Sequence, residues 1–116
     1  GDLESVRDWG YAGDHMRAMF AMGEADQDFD YIVATGVGHS VRDVCAFAFE
    51  AVGLDYRTHV TTDPSLMRGV DAFPKIGDIT RISTDLGWRP RWDFKKVVEL
   101  MLDDELRSIA TKSESE

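Results

Sequence analysis

The sequence predicts a small α/β domain, about four helices packed on a few short strands. Four stretches carry apolar residues at helical spacing, two short stretches are rich in β-formers, and glycines stand where helices should stop. At 116 residues the chain has the length of one domain and can bury a core without staples. With 43% hydrophobic and 30% charged residues, the composition is that of an ordinary soluble globular protein.

Composition also excludes some functions. No apolar run approaches the length of a membrane span. Cys45 is the one cysteine, so an internal disulfide is ruled out and a reducing compartment, the cytoplasm, fits. The net charge of −9 argues against nucleic acid, which needs a basic surface to displace counterions. An anionic small ligand is compatible only where the cationic side chains gather locally.

Taken in order, Gly1–Val6 reads as an extended lead-in. From Ala12 to Gly23, Met16, Met19 and Phe20 fall at helical spacing, and Gly23 can end the helix. Tyr31-Ile32-Val33-Ala34-Thr35 is a short apolar run rich in β-formers and reads as a largely buried strand. The following Gly36-Val37-Gly38 imitates a dinucleotide fingerprint, but Val41 stands where the third glycine would be. It is better read as a strand-to-helix turn containing His39, with Ser40 as N-cap and Asp43 closing a capping box.

The second helix puts Val41, Val44, Cys45, Ala48 and Val52 on one face, which makes Cys45 a small buried residue, and Gly53 supplies the stop. Tyr56–Thr61 is a second strand candidate. A short helix follows Asp78, a cap candidate, and ends at Leu86-Gly87-Trp88, with Trp88 as a structural plug. Asp93 caps a last helix that runs to about Leu106. Residues 108–116 read as a polar, disordered tail behind a domain spanning residues 1–107.

Two arginines merit a functional reading. Arg7 precedes Asp8-Trp9-Gly10-Tyr11-Ala12-Gly13-Asp14, which runs from an extended segment into a helix entrance, a favourable place for phosphate. Its planar fork of donors suits phosphate oxygens. The competing reading pairs Arg7 with Asp8 or Asp14 on a wet surface, where such pairs contribute little. From this stretch alone the second is preferred. Arg68 lies in the irregular run Asp63 to Asp71 and, on the loop alone, is a surface arginine. His15, His39 and His59 have no ligand-like spacing, so no metal is expected.

The order of the motifs changes the weighting. Arg7-Asp8-Trp9-Gly10-Tyr11-Ala12, Ala34 to Arg42, Asp63-Pro64 with Arg68 and Asp71, Ile76-Gly77-Asp78, and Leu86-Gly87-Trp88 with Pro90 together resemble the C-terminal part of the GDP-mannose 4,6-dehydratases. These are extended short-chain dehydrogenase/reductases that convert GDP-mannose to GDP-4-keto-6-deoxymannose, a lyase reaction. The resemblance implies that Arg7 and Arg68 clamp the nucleotide diphosphate from two sides and that Asp71 stands near the nucleoside. Gly69 replaces a usual proline and Asp71 is shorter than the expected glutamate, so base specificity is in more doubt than phosphate binding. A UDP- or dTDP-sugar epimerase or dehydratase is the alternative within the group, and a nonenzymatic interaction module is the alternative outside it.

The resemblance also implies an NADP-binding half that these residues do not supply. The chain contains no Gly-rich first βα turn and no Tyr-x-x-x-Lys pair: four places after Tyr11, Tyr31 and Tyr56 stand His15, Thr35 and Val60. The expectation is therefore a piece of something longer, with no catalytic residue and no cofactor-binding residue of its own. Its partners are expected to be a GDP-sugar and either the missing nucleotide-binding domain or a second copy. The apolar, nearly continuous Ala12–Gly23 helix and Trp9 point to a homodimer.

Overall fold

The computed structural model describes residues 1–26, 28–67, 69 and 73–113. Its elements in chain order are β1 (Val6–Asp8), α1 (Ala12–Glu24), β2 (Gly38–Ser40), α2 (Val41–Ala51), two single-turn 3-10 helices (Tyr56–Thr58 and Pro64–Leu66), α3 (Thr80–Leu86) and α4 (Phe94–Ser113). This is the expected small α/β domain. β1 and β2 pair antiparallel, with Val6 opposite Ser40, Arg7 opposite His39 and Asp8 opposite Gly38. An isolated parallel bridge adds Lys75 beside Arg7, with Asp8 N donating to Lys75 O at 3.1 Å.

The helix ends follow local chemistry. Ser40 Oγ accepts from Asp43 N at 3.0 Å while Asp43 Oδ2 accepts from Ser40 N at 2.8 Å, the reciprocal capping box that starts α2. Gly53 beyond α2 and Gly87 at the end of α3 adopt φ of 73° and 62°, where a Cβ would be strained. Asp93 Oδ1 accepts from Lys96 N at 2.9 Å and caps α4. Asp78 is not the cap of α3: Ile79 holds that position, and Asp78 Oδ1 bonds Thr80 N at 2.9 Å in a turn just before the helix.

Several expectations are corrected. Tyr31–Thr35 forms no strand, because no strand among the described residues lies beside it to complete a ladder. Tyr56–Thr61 is not a strand either. Asp55 Oδ1 accepts from Arg57 N at 2.9 Å, and this Asx cap turns the chain into a 3-10 helix. α4 continues to Ser113, so residues 108–113 are helical where a disordered tail was expected, helped by good helix formers such as Ala110 and Lys112. Cys45 is half-buried, since α2 has no fully buried residue. His39 sits in β2 with its ring stacked on Phe94 at 3.9 Å.

The core is small. Ala18 of α1, Ile82 of α3 and Trp88 form its centre, with Tyr31, Val33, Ile79 and Leu86 packed around them. Two aspartates tie this core to the loops. Asp14, 2% exposed, accepts from Arg17 Nη2 at 2.8 Å, Arg91 N at 2.9 Å and Trp92 N at 3.1 Å. Its own carbonyl accepts from Trp88 Nε1 at 3.1 Å. Asp8 gathers Thr35 N (2.8 Å), Thr35 Oγ1 (2.6 Å), Gly36 N (2.9 Å) and Gly77 N (3.2 Å).

Much surface is left open. The radius of gyration is 17.6 Å, against about 13 Å for a compact chain of this size. The accessible surface of 8692 Å² exceeds by roughly 2300 Å² what a self-contained monomer of 13.0 kDa shows. On α1, Met16, Met19 and Phe20 are 62%, 58% and 69% exposed, an uncovered apolar face.

Candidate functional site

Side chains alternate along β1, so Arg7 and Asp8 fall on opposite faces of the strand. Asp8 turns to the loops at Thr35 and Gly77 and holds the sheet in place. Burial pushes its carboxyl up, but the hydrogen bonds from Thr35, Gly36 and Gly77 outweigh this and hold it below the usual carboxylate range. Arg7 lines a cavity of about 460 Å³ together with Ser5, Val41, Leu66, Gly69 and Lys75. Arg7 Nη1 donates to Val6 O at 2.9 Å, which lays the guanidinium along its own strand.

Lys75 is the residue that sequence reading missed. The parallel bridge puts residues 7 and 75 side by side, and both line the cavity, so two cationic residues share one cavity in a protein of net charge −9. A lysine in an irregular segment gives no periodic signal. Only the pairing of a distant loop with β1 places it. Asp2 also lines the cavity, with Oδ1 accepting from Glu4 N at 2.9 Å and Oδ2 from Ser5 Oγ at 3.1 Å. Both of its oxygens accept from the turn that opens the chain, and the carboxylate remains an acidic group in the lining.

The helix entrance in this site differs from the expected one. No residue of α1 lines the cavity; Val41, the first residue of α2, does. The first amides of α2 are already used, Val41 N donating to Ser5 O at 3.2 Å and Arg42 N to Leu3 O at 2.8 Å. The positive charge lining this cavity is therefore that of side chains, not of open helix donors. Trp9 is half-buried and gives its Nε1–H to His39 O at 2.9 Å, which fixes it against β2 and removes it from the exposed face of α1.

Arg68 and Asp71 lie outside the described residues. Leu66 and Gly69, on either side of residue 68 in sequence, both line the Arg7–Lys75 cavity. A second cavity of about 300 Å³ lies between Thr35, His39 and the Arg91–Phe94 stretch. Among the described residues no group of three or more His, Cys, Asp or Glu is placed to hold a metal ion. No helix of those residues is long and apolar enough to cross a membrane.

Comparison with known proteins gives the family. The family model described as GDP-mannose 4,6 dehydratase matches residues 1–101. The chain belongs to the GDP-mannose 4,6-dehydratase family. It is 36% identical to GDP-mannose 4,6 dehydratase 1 of Arabidopsis thaliana over 91% of this chain and 29% of that protein. The human GDP-mannose 4,6 dehydratase is 30% identical over 96% of this chain and 34% of its own length. The chain therefore spans about a third of the length of the curated relatives it matches. Among solved structures, the UDP-glucose 4-epimerase of Thermotoga maritima with UDP-glucose superposes with a TM-score of 0.81 at 27% identity, covering 94% of this chain and 34% of that one.

Proposed function

We propose that residues 1–107 form a nucleotide-sugar-binding domain that holds the diphosphate of a GDP-sugar, GDP-mannose in the first instance, in the Arg7–Lys75 cavity. The observation that carries this reading is the side-by-side placement of two cationic residues in one cavity, in an acidic chain of this family. A guanidinium fork meets two phosphate oxygens at once, while a lysine ammonium supplies a compact second charge. Arg68 completes the clamp and Asp71 meets the base, the roles the family resemblance implies for them.

The dehydration itself, a lyase reaction, requires NADP and catalytic groups that these residues do not include, so the domain binds and orients substrate for a nucleotide-binding part. The protein works in the cytoplasm, where its single cysteine stays reduced. It forms a homodimer through the exposed Met16, Met19 and Phe20 face of α1. The likeness to an epimerase solved with UDP-glucose favours UDP-sugar as the second reading.

Calorimetry with GDP and UDP separates these readings. The GDP-sugar reading predicts binding of both through the diphosphate with a preference for GDP. A preference for UDP selects the second reading, and no heat with either leaves an interaction module. Incubation of the chain with GDP-mannose and NADP is expected to return unchanged substrate on chromatography. Formation of a 4-keto-6-deoxy product would place catalysis within these 116 residues and overturn the division of labour.

A further inference from the structure

Cations are scarce in this chain, yet they gather at one place away from the Arg7–Lys75 cavity. The run Arg89-Pro90-Arg91-Trp92-Asp93-Phe94-Lys95-Lys96 carries four of the 13 Lys+Arg and one of the 22 Asp+Glu. Aromatic rings stand between the charges. Phe94 stacks on His39 with ring centres 3.9 Å apart, and Tyr11 meets Trp92 edge-on at 6.1 Å. Lys96 Nζ lies 5.9 Å from the Trp92 ring centre, and Lys95 Nζ lies 5.3 Å from that of Phe47.

The cavity of about 300 Å³ opens on this run. Val37, Pro90, Trp92 and Phe94 give it apolar walls, while His39, Arg91 and Asp93 give it polar ones. It shares no lining residue with the Arg7–Lys75 cavity. Arg91 N and Trp92 N both donate to buried Asp14, so the main chain that carries two of the lining side chains is fixed in advance. Arg91 itself is exposed, and its guanidinium has no hydrogen bond or ion pair with any described residue. Asp93 gives Oδ1 to Lys96 N, while its Oδ2 accepts from no described residue.

These groups select a ligand. An indole wall suits a flat ring. An open carboxylate oxygen suits hydroxyl donors, and a guanidinium fork suits a phosphate. The volume lies at the lower end of small-molecule sites and suits a single nucleotide rather than a nucleotide-sugar. We infer that this cavity binds a nucleoside monophosphate, with the base against Trp92, the ribose hydroxyls toward Asp93 and the phosphate on Arg91. No residue of the proposed nucleotide-sugar cavity takes part, so either site can fail alone.

Titration of GMP and AMP into the 116-residue chain, read by calorimetry and by tryptophan fluorescence, tests this. Both should bind saturably and quench fluorescence. Guanosine, adenosine and inorganic phosphate each offer part of the ligand and should bind about ten-fold more weakly or worse. Arg91→Ala keeps the main-chain bonds to Asp14 and should weaken GMP about ten-fold or more, whereas Arg7→Ala should leave GMP unchanged. Trp92→Phe keeps a stacking ring, so binding should persist while the quench disappears. Circular dichroism checks each fold, and if Trp92→Phe unfolds, the Arg91→Ala and Arg7→Ala pair decides. Absence of saturable binding by either monophosphate overturns the site. So does inorganic phosphate binding as tightly as GMP, a quench that survives in Trp92→Phe, or a loss in Arg7→Ala without one in Arg91→Ala.

Discussion

Removing the Asp14 carboxylate should unfasten α1 from the loop that follows α3. In Asp14→Ala, Arg91 N and Trp92 N lose their acceptor at 2.9 and 3.1 Å, and Arg17 loses its 2.8 Å partner. A hydrogen bond to a charged group contributes about 1.5–3 kcal/mol, and three bonds sharing one carboxylate do not add fully. The two main-chain donors are left without an acceptor at a site where Asp14 is 2% exposed. The expected loss is about 3–5 kcal/mol, a large part of the roughly 6–17 kcal/mol that a chain of this length has in total. Asp14→Asn keeps an acceptor oxygen but loses the charge, and should cost about half as much. Urea titration followed by tryptophan fluorescence reads both, since Trp88 packs beside the site and donates to Asp14 O. A loss below about 1 kcal/mol in Asp14→Ala would show that the junction is held by packing alone.

Other expectations follow from the same contacts. Asp14, like Asp8, is raised by burial but lowered further by its donors, here Arg17, Trp92 and Arg91, and ends below the usual carboxylate range. The unfolded chain binds these protons more readily, so their stabilisation is present above about pH 4 and is lost as pH falls through the depressed folded values. Urea midpoints should therefore drop from pH 7 to pH 3, and a flat profile would contradict the assignment. Gly77→Ala would drive a Cβ into the Cβ of Ala34, a side chain with no rotamer to yield, for a cost of about 1–3 kcal/mol by thermal unfolding. Ser40→Ala breaks the capping box and should cost about 0.5–2 kcal/mol in the same assay.

The features readable in the sequence were those decided by near neighbours. Ser40 with Asp43, the left-handed glycines at 53 and 87, and the Asp93 cap all act within four residues, and all are in the structure. Trp88 as a buried plug was legible because a large aromatic after a helix stop has few other places to go. What failed depended on distant partners. The β-formers at residues 31–35 state a preference that only a neighbouring strand can satisfy. Asp8 and Asp14 read as surface partners for Arg7, but they are hubs that, besides the local Asp14–Arg17 pair, reach 27 to 78 residues along the sequence. Arg7 stands out in the sequence by its motif. Lys75, which shares its cavity, needed the fold.

The central claim is that the Arg7–Lys75 cavity takes a nucleotide diphosphate. Calorimetric titration of GDP into the wild-type chain, Arg7→Ala, Lys75→Ala and Arg68→Ala tests it most directly. Loss of one charge-assisted contact of about 1.5–3 kcal/mol should weaken binding about ten-fold or more in each variant, with circular dichroism confirming an intact fold. Wild-type affinity in Arg7→Ala and Lys75→Ala together would place the diphosphate elsewhere and contradict the account.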